Sequence, residues 1–170
     1  METFIKKELH YSLLFICLGN ICRSPAADAV MHHLTETKGL SNNFTIDSAG
    51  IGSCHVGEFP DSRIRKHGDQ RGYNINHIAR KFDRSKDFDI FDYIVVMDDN
   101  NYSDICNQTK NAVQKSKVIK MKDYFVHYKG ETSVPDPYYG SSADFEYALD
   151  LVEDGCKGLL QSILKEDKKI

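Results

Sequence analysis

A cysteine and an arginine near the start of the chain, separated by five residues, have the types and spacing for nucleophilic chemistry on an anion. Cys17 follows the apolar run at residues 13–16, and Arg23 precedes Ser24-Pro25, where a helical pattern begins. This order predicts a strand, a short loop and a helix N-terminus. Helix N-termini and consecutive loop amides bind anions, and a guanidinium matches two phosphate oxygens. A thiolate under such a loop is a nucleophile, so the stretch predicts attack on phosphorus.

The other residues of this stretch fit the same interpretation. Gly19 allows the backbone to approach a ligand closely, and Asn20 tolerates the left-handed conformation. Ser24 can donate its hydroxyl to the sulfur of Cys17, and Pro25 suits the first turn of a helix. The alternative is a buried structural cysteine beside a surface arginine. The residues predicted to bind phosphate are Leu18, Gly19, Asn20, Ile21, Cys22, Arg23 and Ser24.

The stretch at residues 17–25 resembles the phosphate-binding loop of the low-molecular-weight protein tyrosine phosphatases. The likeness covers nearly the whole chain after the first ten residues, and its motifs fall in the family's order. The further matching motifs are Asp-Ser-Ala-Gly at 47–50, His-Val-Gly at 55–57, Phe-Asp-Tyr-Ile at 91–94, Met-Asp at 97–98 and Asp-Pro-Tyr-Tyr-Gly at 136–140.

The resemblance implies a phosphotyrosine phosphatase in which Cys17 forms a phosphocysteine intermediate, with Arg23 and Asp136 as the other catalytic residues. Prolines on both sides of Asp136 stiffen its loop. Asp136 is expected to protonate the leaving oxygen and then to activate water, which implies an acidic pH optimum. The alternative for Asp136 is a turn residue without chemistry. No cofactor and no metal are expected.

The family pattern also implies residues that support the loop and line the cleft. Ser48 is expected to hold Asn20 by a hydrogen bond, and Ser24 supports the same loop. The substrate cleft is predicted to contain Cys54, His55, Tyr138 and Tyr139. Cys54 stands where the family commonly has an aromatic residue, and Phe59 is a candidate replacement for it.

Cys22 is the predicted redox residue. If the family's behaviour carries over, it forms a reversible disulfide with Cys17. The alternative is that Cys22 packs under the loop as a structural residue.

Composition limits the remaining choices. A length of 170 residues fits one domain, predicted at 11–170 after an extension at 1–10 without a signal core. The net charge of −3 argues against nucleic-acid and membrane partners. Five cysteines, without metal-type spacing, indicate a reducing compartment, most simply the cytoplasm. The expected partners are phosphotyrosine proteins or peptides, and a monomer is predicted.

Alternating patterns predict a single three-layer α/β domain with a four-stranded parallel sheet flanked by helices. The strands at residues 11–16 and 93–97 are apolar without alternation, which indicates burial on both faces. Two shorter strands are expected at 44–47 and 117–120. The main helices are predicted from Ser24 to a stop at Gly39, at 61–72 and at 143–165.

Several charged residues have open roles. His77 and Arg80 resemble positions that pair with Asp98, which is itself either a helix cap or a catalytic base. The basic residues Arg63, Arg65 and Lys66 form either a solvated helix face or a patch that attracts acidic phosphopeptides. The adjacent His32 and His33 point in different directions on their helix, which argues against a metal pair.

Three other functions compete with the phosphotyrosine phosphatase. An arsenate reductase needs two further relay cysteines, whereas Cys106 stands alone. Phosphoarginine phosphatases of the same fold resemble this chain but carry Thr where it has Ile21. A phosphate-binding module without catalysis would require neither Cys17 nor Asp136.

Overall fold

The computed structural model of the protein describes residues 9–168. Residues 1–8 of the predicted extension at 1–10 therefore lie outside the described residues. The last two residues of the predicted domain, 169 and 170, lie outside them as well. The imidazole of His10 contacts the carbonyl oxygen of Asn42 and the hydroxyl of Thr45, so the extension meets the fold beside the second strand.

Four parallel strands form one sheet, which confirms the predicted architecture. They are β1 (Tyr11–Cys17), β2 (Phe44–Gly50), β3 (Tyr93–Val96) and β4 (Val118–Lys120), in the order β2-β1-β3-β4. β1 is central and buried from its second residue to its last. Its unbroken apolar sequence reflects cover on both faces, as in other parallel sheets.

The helices agree with the predicted long elements and add short ones. Asp61 caps α2 by accepting a hydrogen bond from the Arg63 amide. α3 and α5 have only four and five residues and were not predicted. None of the helices described between residues 9 and 168 is long and apolar enough to cross a membrane. The helices are α1 (Arg23–Thr37), α2 (Ser62–Gln70), α3 (Asp87–Ile90), α4 (Asp99–Cys106), α5 (Ala112–Ser116) and α6 (Ser142–Asp167).

Alternate residues of β1 serve two separate cores, which makes the domain three layers thick. Leu13 and Phe15 belong to the core with α1 and α6. Leu14 and Ile16 belong to the core on the other face, which includes Phe88. The side-chain alternation of a strand divides one apolar run between the two faces.

The sheet order brings the cysteine loop to a crevice. β1 has β2 on one side and β3 on the other, so successive chain connections leave it in opposite directions. Ligands of open α/β sheets bind at the carboxyl ends of strands at such a point. Cys17 is the last residue of β1 and pairs with Gly50, so β2 continues three residues beyond the predicted end at residue 47.

We predict that Gly158→Ala destabilises the fold, although alanine favours helices. A Cβ on Gly158 of α6 would lie 1.8 Å from the carbonyl oxygen of Tyr124. The expected loss in the free energy of unfolding is about 1–3 kcal/mol, measured by urea denaturation. Gly130→Ala is the control, because its Cβ would meet no atom within 4 Å. A Gly158→Ala variant as stable as the parent would contradict the close packing of α6.

Candidate active site

The loop between β1 and α1 curls around the sulfur of Cys17. The amide of Asn20 donates a hydrogen bond to Cys17 Sγ at 3.3 Å, and Ser24 Oγ lies 3.1 Å from the same sulfur. Asn20 has a φ of 57°, which lets the loop turn its amide inward. The backbone amide and the hydroxyl thus converge on the sulfur from within the loop.

The side chain of Asn20 fixes this loop to two neighbouring segments. Its Nδ2 donates to Ser24 Oγ at 2.8 Å and to Ser48 Oγ at 3.0 Å. Its Oδ1 accepts the backbone N–H of Arg80 at 3.0 Å. Gly50 allows β2 to approach, since a Cβ there would lie 3.1 Å from atoms of the loop. These contacts hold the loop in shape.

The guanidinium of Arg23 is held at the side of the loop. The Arg23 side chain is 3% exposed, and Nη1 donates to Asp98 Oδ2 at 2.6 Å and to the Val134 carbonyl at 2.9 Å. Its Nη2 lies 3.6 Å from Asp136 Oδ2. Burial works against the charge of Arg23, but Cys17, Asp98 and Asp136 outweigh it and raise the pKa of Arg23. The cavity thus contains a fixed positive charge.

The expected pairing of His77 and Arg80 with Asp98 is wrong. Arg80 binds Asp47 and Asp87, and His77 faces Asp28 and Asp47. Both lie in the segment beside β2, where Gly50 N donates to the Arg80 carbonyl, whereas Asp98 follows β3 across β1. Asp98 also caps α4 by accepting the amide hydrogen of Asn101, as the alternative prediction had it.

A cavity of about 220 Å³ opens above the loop and gathers most of the predicted site residues. Asn20, Ser24 and Ser48 do not line this cavity and instead support its floor from behind. Gly52 was missed, because a loop glycine carries no chemical signal. The residues that line the cavity are Cys17, Leu18, Gly19, Ile21, Cys22, Arg23, Gly52, Cys54, His55, Asp136, Tyr138 and Tyr139.

The walls of the cavity are aromatic on one side. The rings of His55 and Tyr138 lie 6.2 Å apart, and Tyr139 is 95% exposed at the rim. Cys54 lines the cavity as an exposed free thiol. Phe59 lies under the guanidinium of Arg65 and does not line the cavity, so it does not replace the aromatic residue that Cys54 displaces.

Asp136 and Cys22 differ sharply in exposure. The Asp136 side chain is 42% exposed and Oδ1 accepts the Tyr138 amide hydrogen at 3.1 Å, so the carboxyl stays at the mouth of the cavity.

Cys22 is buried, and burial together with the Asp61 carboxylate raises the pKa of its thiol. Cys17 and Cys22 are both free. Their reversible disulfide stays a prediction.

The chain resembles known proteins along almost its whole length. A profile of the family described as "Low molecular weight phosphotyrosine protein phosphatase" matches residues 12–169. The chain belongs to this family. A Synechocystis sp. relative named for the family is 46% identical over 154 residues, covering 91% of this chain and 97% of the relative. The rat low molecular weight phosphotyrosine protein phosphatase is 39% identical over 153 residues, covering 88% and 94%.

A solved structure agrees with the same assignment. The protein tyrosine phosphatase of Entamoeba histolytica, determined with Hepes in its active site, is 44% identical. It superposes with a TM-score of 0.87 and covers 94% of this chain and 99% of the other. The chain is therefore a hydrolase of the low molecular weight tyrosine phosphatase family.

We predict that Ser48→Ala loosens the loop of this phosphatase. The change removes one acceptor of Asn20 Nδ2 and leaves the hydrogen bond to Ser24. Loss of one neutral hydrogen bond, about 1 kcal/mol, should weaken competitive inhibition by vanadate roughly fivefold. Ser62→Ala is the control, at an exposed position in the first turn of α2. An unchanged inhibition constant in Ser48→Ala would show that the loop does not depend on this contact.

Proposed function

We propose that the protein hydrolyses phosphotyrosine through a phosphocysteine on Cys17. The observation that carries the proposal is the shared cavity of three groups: a sulfur with inward-facing donors, a buried guanidinium, and a carboxyl at the mouth. The names of the relatives support the same substrate class.

In the first step, the thiolate of Cys17 attacks phosphorus and a sulfur–phosphorus bond forms. The bond from phosphorus to the tyrosine oxygen breaks, and protonated Asp136 donates its proton to that leaving oxygen. Loop amides and Arg23 stabilise the equatorial oxygens, where charge is highest in the transition state. Because these donors are already in place, little reorganisation is needed during the reaction.

In the second step, Asp136 acts as a base. It accepts a proton from water, which attacks phosphorus while the sulfur–phosphorus bond breaks. Phosphate leaves and Cys17 returns to its thiolate form. The hydroxyl of Ser24, 3.1 Å from the sulfur, would stabilise the departing thiolate.

The choice of substrate is proposed to depend on how deep the sulfur lies in the cavity and on contact between the substrate and aromatic side chains. The sulfur lies at the buried end of β1, whereas Tyr138 and Tyr139 stand toward the mouth. A phenyl ring spans this distance and packs against aromatic faces, whereas phosphoserine is shorter and lacks a ring. Hepes in the active site of the Entamoeba histolytica relative suggests that a sulfonate occupies the same kind of anion site.

The alternatives are less well supported. Ile21 lines the cavity where phosphoarginine phosphatases would carry Thr. Cys106 is the only cysteine of α4, so a relay of close cysteines for arsenate reduction has no partner there. A binding module would not require an acidic side chain opposite the nucleophile. We further propose a reducing compartment, the cytoplasm, because the chemistry needs a free thiolate. A monomer is proposed as well.

We predict that Asp136→Asn lowers kcat with phenyl phosphate by roughly 10²–10⁴-fold, because the poor leaving group loses its proton donor. A p-nitrophenyl leaving group needs less protonation, so the loss there should be clearly smaller. Asp144→Asn is the control, since that carboxyl caps α6. Equal losses for both leaving groups would contradict the role of Asp136 as the acid.

Turnover of matched peptides tests the substrate class. We expect phosphotyrosine peptide to be hydrolysed with a far higher kcat/KM than phosphoserine or phosphoarginine peptide, and arsenate not to be reduced. Cys17→Ser is the inactive control for every substrate. Preference for either of the other peptides would overturn the proposed specificity.

A further inference from the structure

A second cavity, of about 450 Å³, is lined by residues of α1, of β2 and of the segment after α2. It shares no lining residue with the first cavity. Its polar walls include Asp28 and His32 of α1 and His77 of the segment after α2. Asp47 of β2 reaches the same histidine from behind. The proposed phosphatase chemistry uses none of these four side chains.

Three possible metal ligands converge at this place. One nitrogen of His77 and one carboxylate oxygen each from Asp28 and Asp47 lie within 4.8 Å of one another. His77 Nδ1 is 3.7 Å from Asp28 Oδ2 and 3.6 Å from Asp47 Oδ1. With metal bonds of about 2.0–2.2 Å, the edges of a tetrahedron measure roughly 3.3–3.6 Å. The two separations from His77 are close to this edge, and the two carboxylate oxygens lie within 4.8 Å of each other.

His77 Nδ1 and the two carboxylates are farther apart than a hydrogen-bond distance, whereas two arginine–carboxylate pairs nearby are in direct contact. Arg23 and Asp98 are 2.6 Å apart, and Arg80 and Asp47 are 2.9 Å apart. The Asp28 side chain is 9% exposed, and the nearest basic nitrogens are His32 Nε2 at 3.3 Å and His77 Nδ1 at 3.7 Å. The nitrogen and oxygen atoms thus face one another across a gap.

The remaining contacts orient the proposed ligands. His32 Nε2 lies 3.3 Å from Asp28 Oδ1, the oxygen that does not face His77. Arg80 holds Asp47 Oδ2, and the Ser48 amide donates to Asp47 Oδ1. Partners of this kind fix the direction of metal-binding carboxylates.

We propose that Asp28, Asp47 and His77 bind a divalent transition-metal ion of the Zn²⁺ class, with His32 positioning Asp28. One imidazole and two carboxylates suit Zn²⁺, whereas Mg²⁺ and Ca²⁺ prefer oxygen ligands in larger number. The fourth position faces the cavity, where water has room. His32 contacts Asp28, whereas the ring of its neighbour His33 packs edge-on against Tyr73.

The site lies directly behind the catalytic loop. Asp28 belongs to the second turn of α1, and Asp47 precedes Ser48, which binds Asn20. A bound ion would tie α1 to β2 at this point. The proposal shares no catalytic residue with the proposed phosphatase function, so each can fail without the other.

Zinc binding to the full chain tests the proposal. The cysteines of the first cavity could also bind zinc, so all measurements use a Cys17→Ser, Cys22→Ser, Cys54→Ser background, by titration calorimetry in phosphate-free buffer. We expect one Zn²⁺ per chain. Asp28→Asn and His77→Ala should weaken binding by roughly tenfold or more, since even residues that only orient ligands contribute 10–100-fold. His127→Ala, at an exposed histidine elsewhere, is the matched control and should bind like the background.

Two further measurements keep the test decisive. His32 is 53% exposed, so His32→Ala should fold and weaken binding by roughly tenfold even if the other variants fail to fold. Co²⁺ replaces Zn²⁺ as a spectroscopic probe, and nitrogen and oxygen ligands should give visible bands without thiolate charge transfer. Absent binding, equal affinity of His32→Ala and His127→Ala, or a thiolate band that shows the cysteines to be the ligands would each overturn the proposal.

Discussion

The buried ion pair between Arg23 and Asp98 is the interaction on which the candidate active site depends. It holds a guanidinium at 3% exposure beside the sulfur of Cys17, where an unpaired charge would be costly. Asp98 binds one nitrogen, and the other is left toward Asp136 and the cavity. The guanidinium is therefore shielded from solvent, while one of its nitrogens still faces the cavity. A phosphate that enters the cavity would therefore bind next to a positive charge that is already in position.

The sheet explains how distant segments supply this arrangement. The carboxyl ends of β1, β2 and β3 deliver Cys17, the Ser48 region and Asp98 to one edge. Asn20 then joins the first two of these segments through its side chain. The strands fix where the side chains of the anion site begin, and hydrogen bonds fix how those side chains are oriented. The Asp136 loop, in contrast, is exposed at the mouth of the cavity. Such a division suits a reaction in which the anion site is fixed and the proton donor must meet different leaving groups.

The local sequence predicted the strand, loop and helix around Cys17. The predictions that failed or were missed concern contacts between segments that are distant in the sequence. The apolar run before Cys17 and the Ser-Pro after Arg23 are local signals, so the loop was predicted with its strand and helix. The partner of Asp98 depends on strand order, which periodicity does not encode, and the family-based pairing with His77 and Arg80 was wrong. The backbone contact from Arg80 to Asn20 was missed because any residue can supply an amide. The short helices α3 and α5 depend on tertiary contacts more than on propensity.

The most direct test of the account is detection of phosphate on Cys17 during turnover. The full chain is mixed with a phosphotyrosine peptide, quenched rapidly under conditions that preserve thiophosphates, and digested for mass spectrometry. The account predicts a phosphorylated peptide containing Cys17. It predicts more of this peptide when the Asp136→Asn variant is given p-nitrophenyl phosphate instead, because that leaving group needs little protonation and only the second step is then slowed. Rapid turnover without any phosphate on Cys17, or phosphate on a different residue, would contradict it.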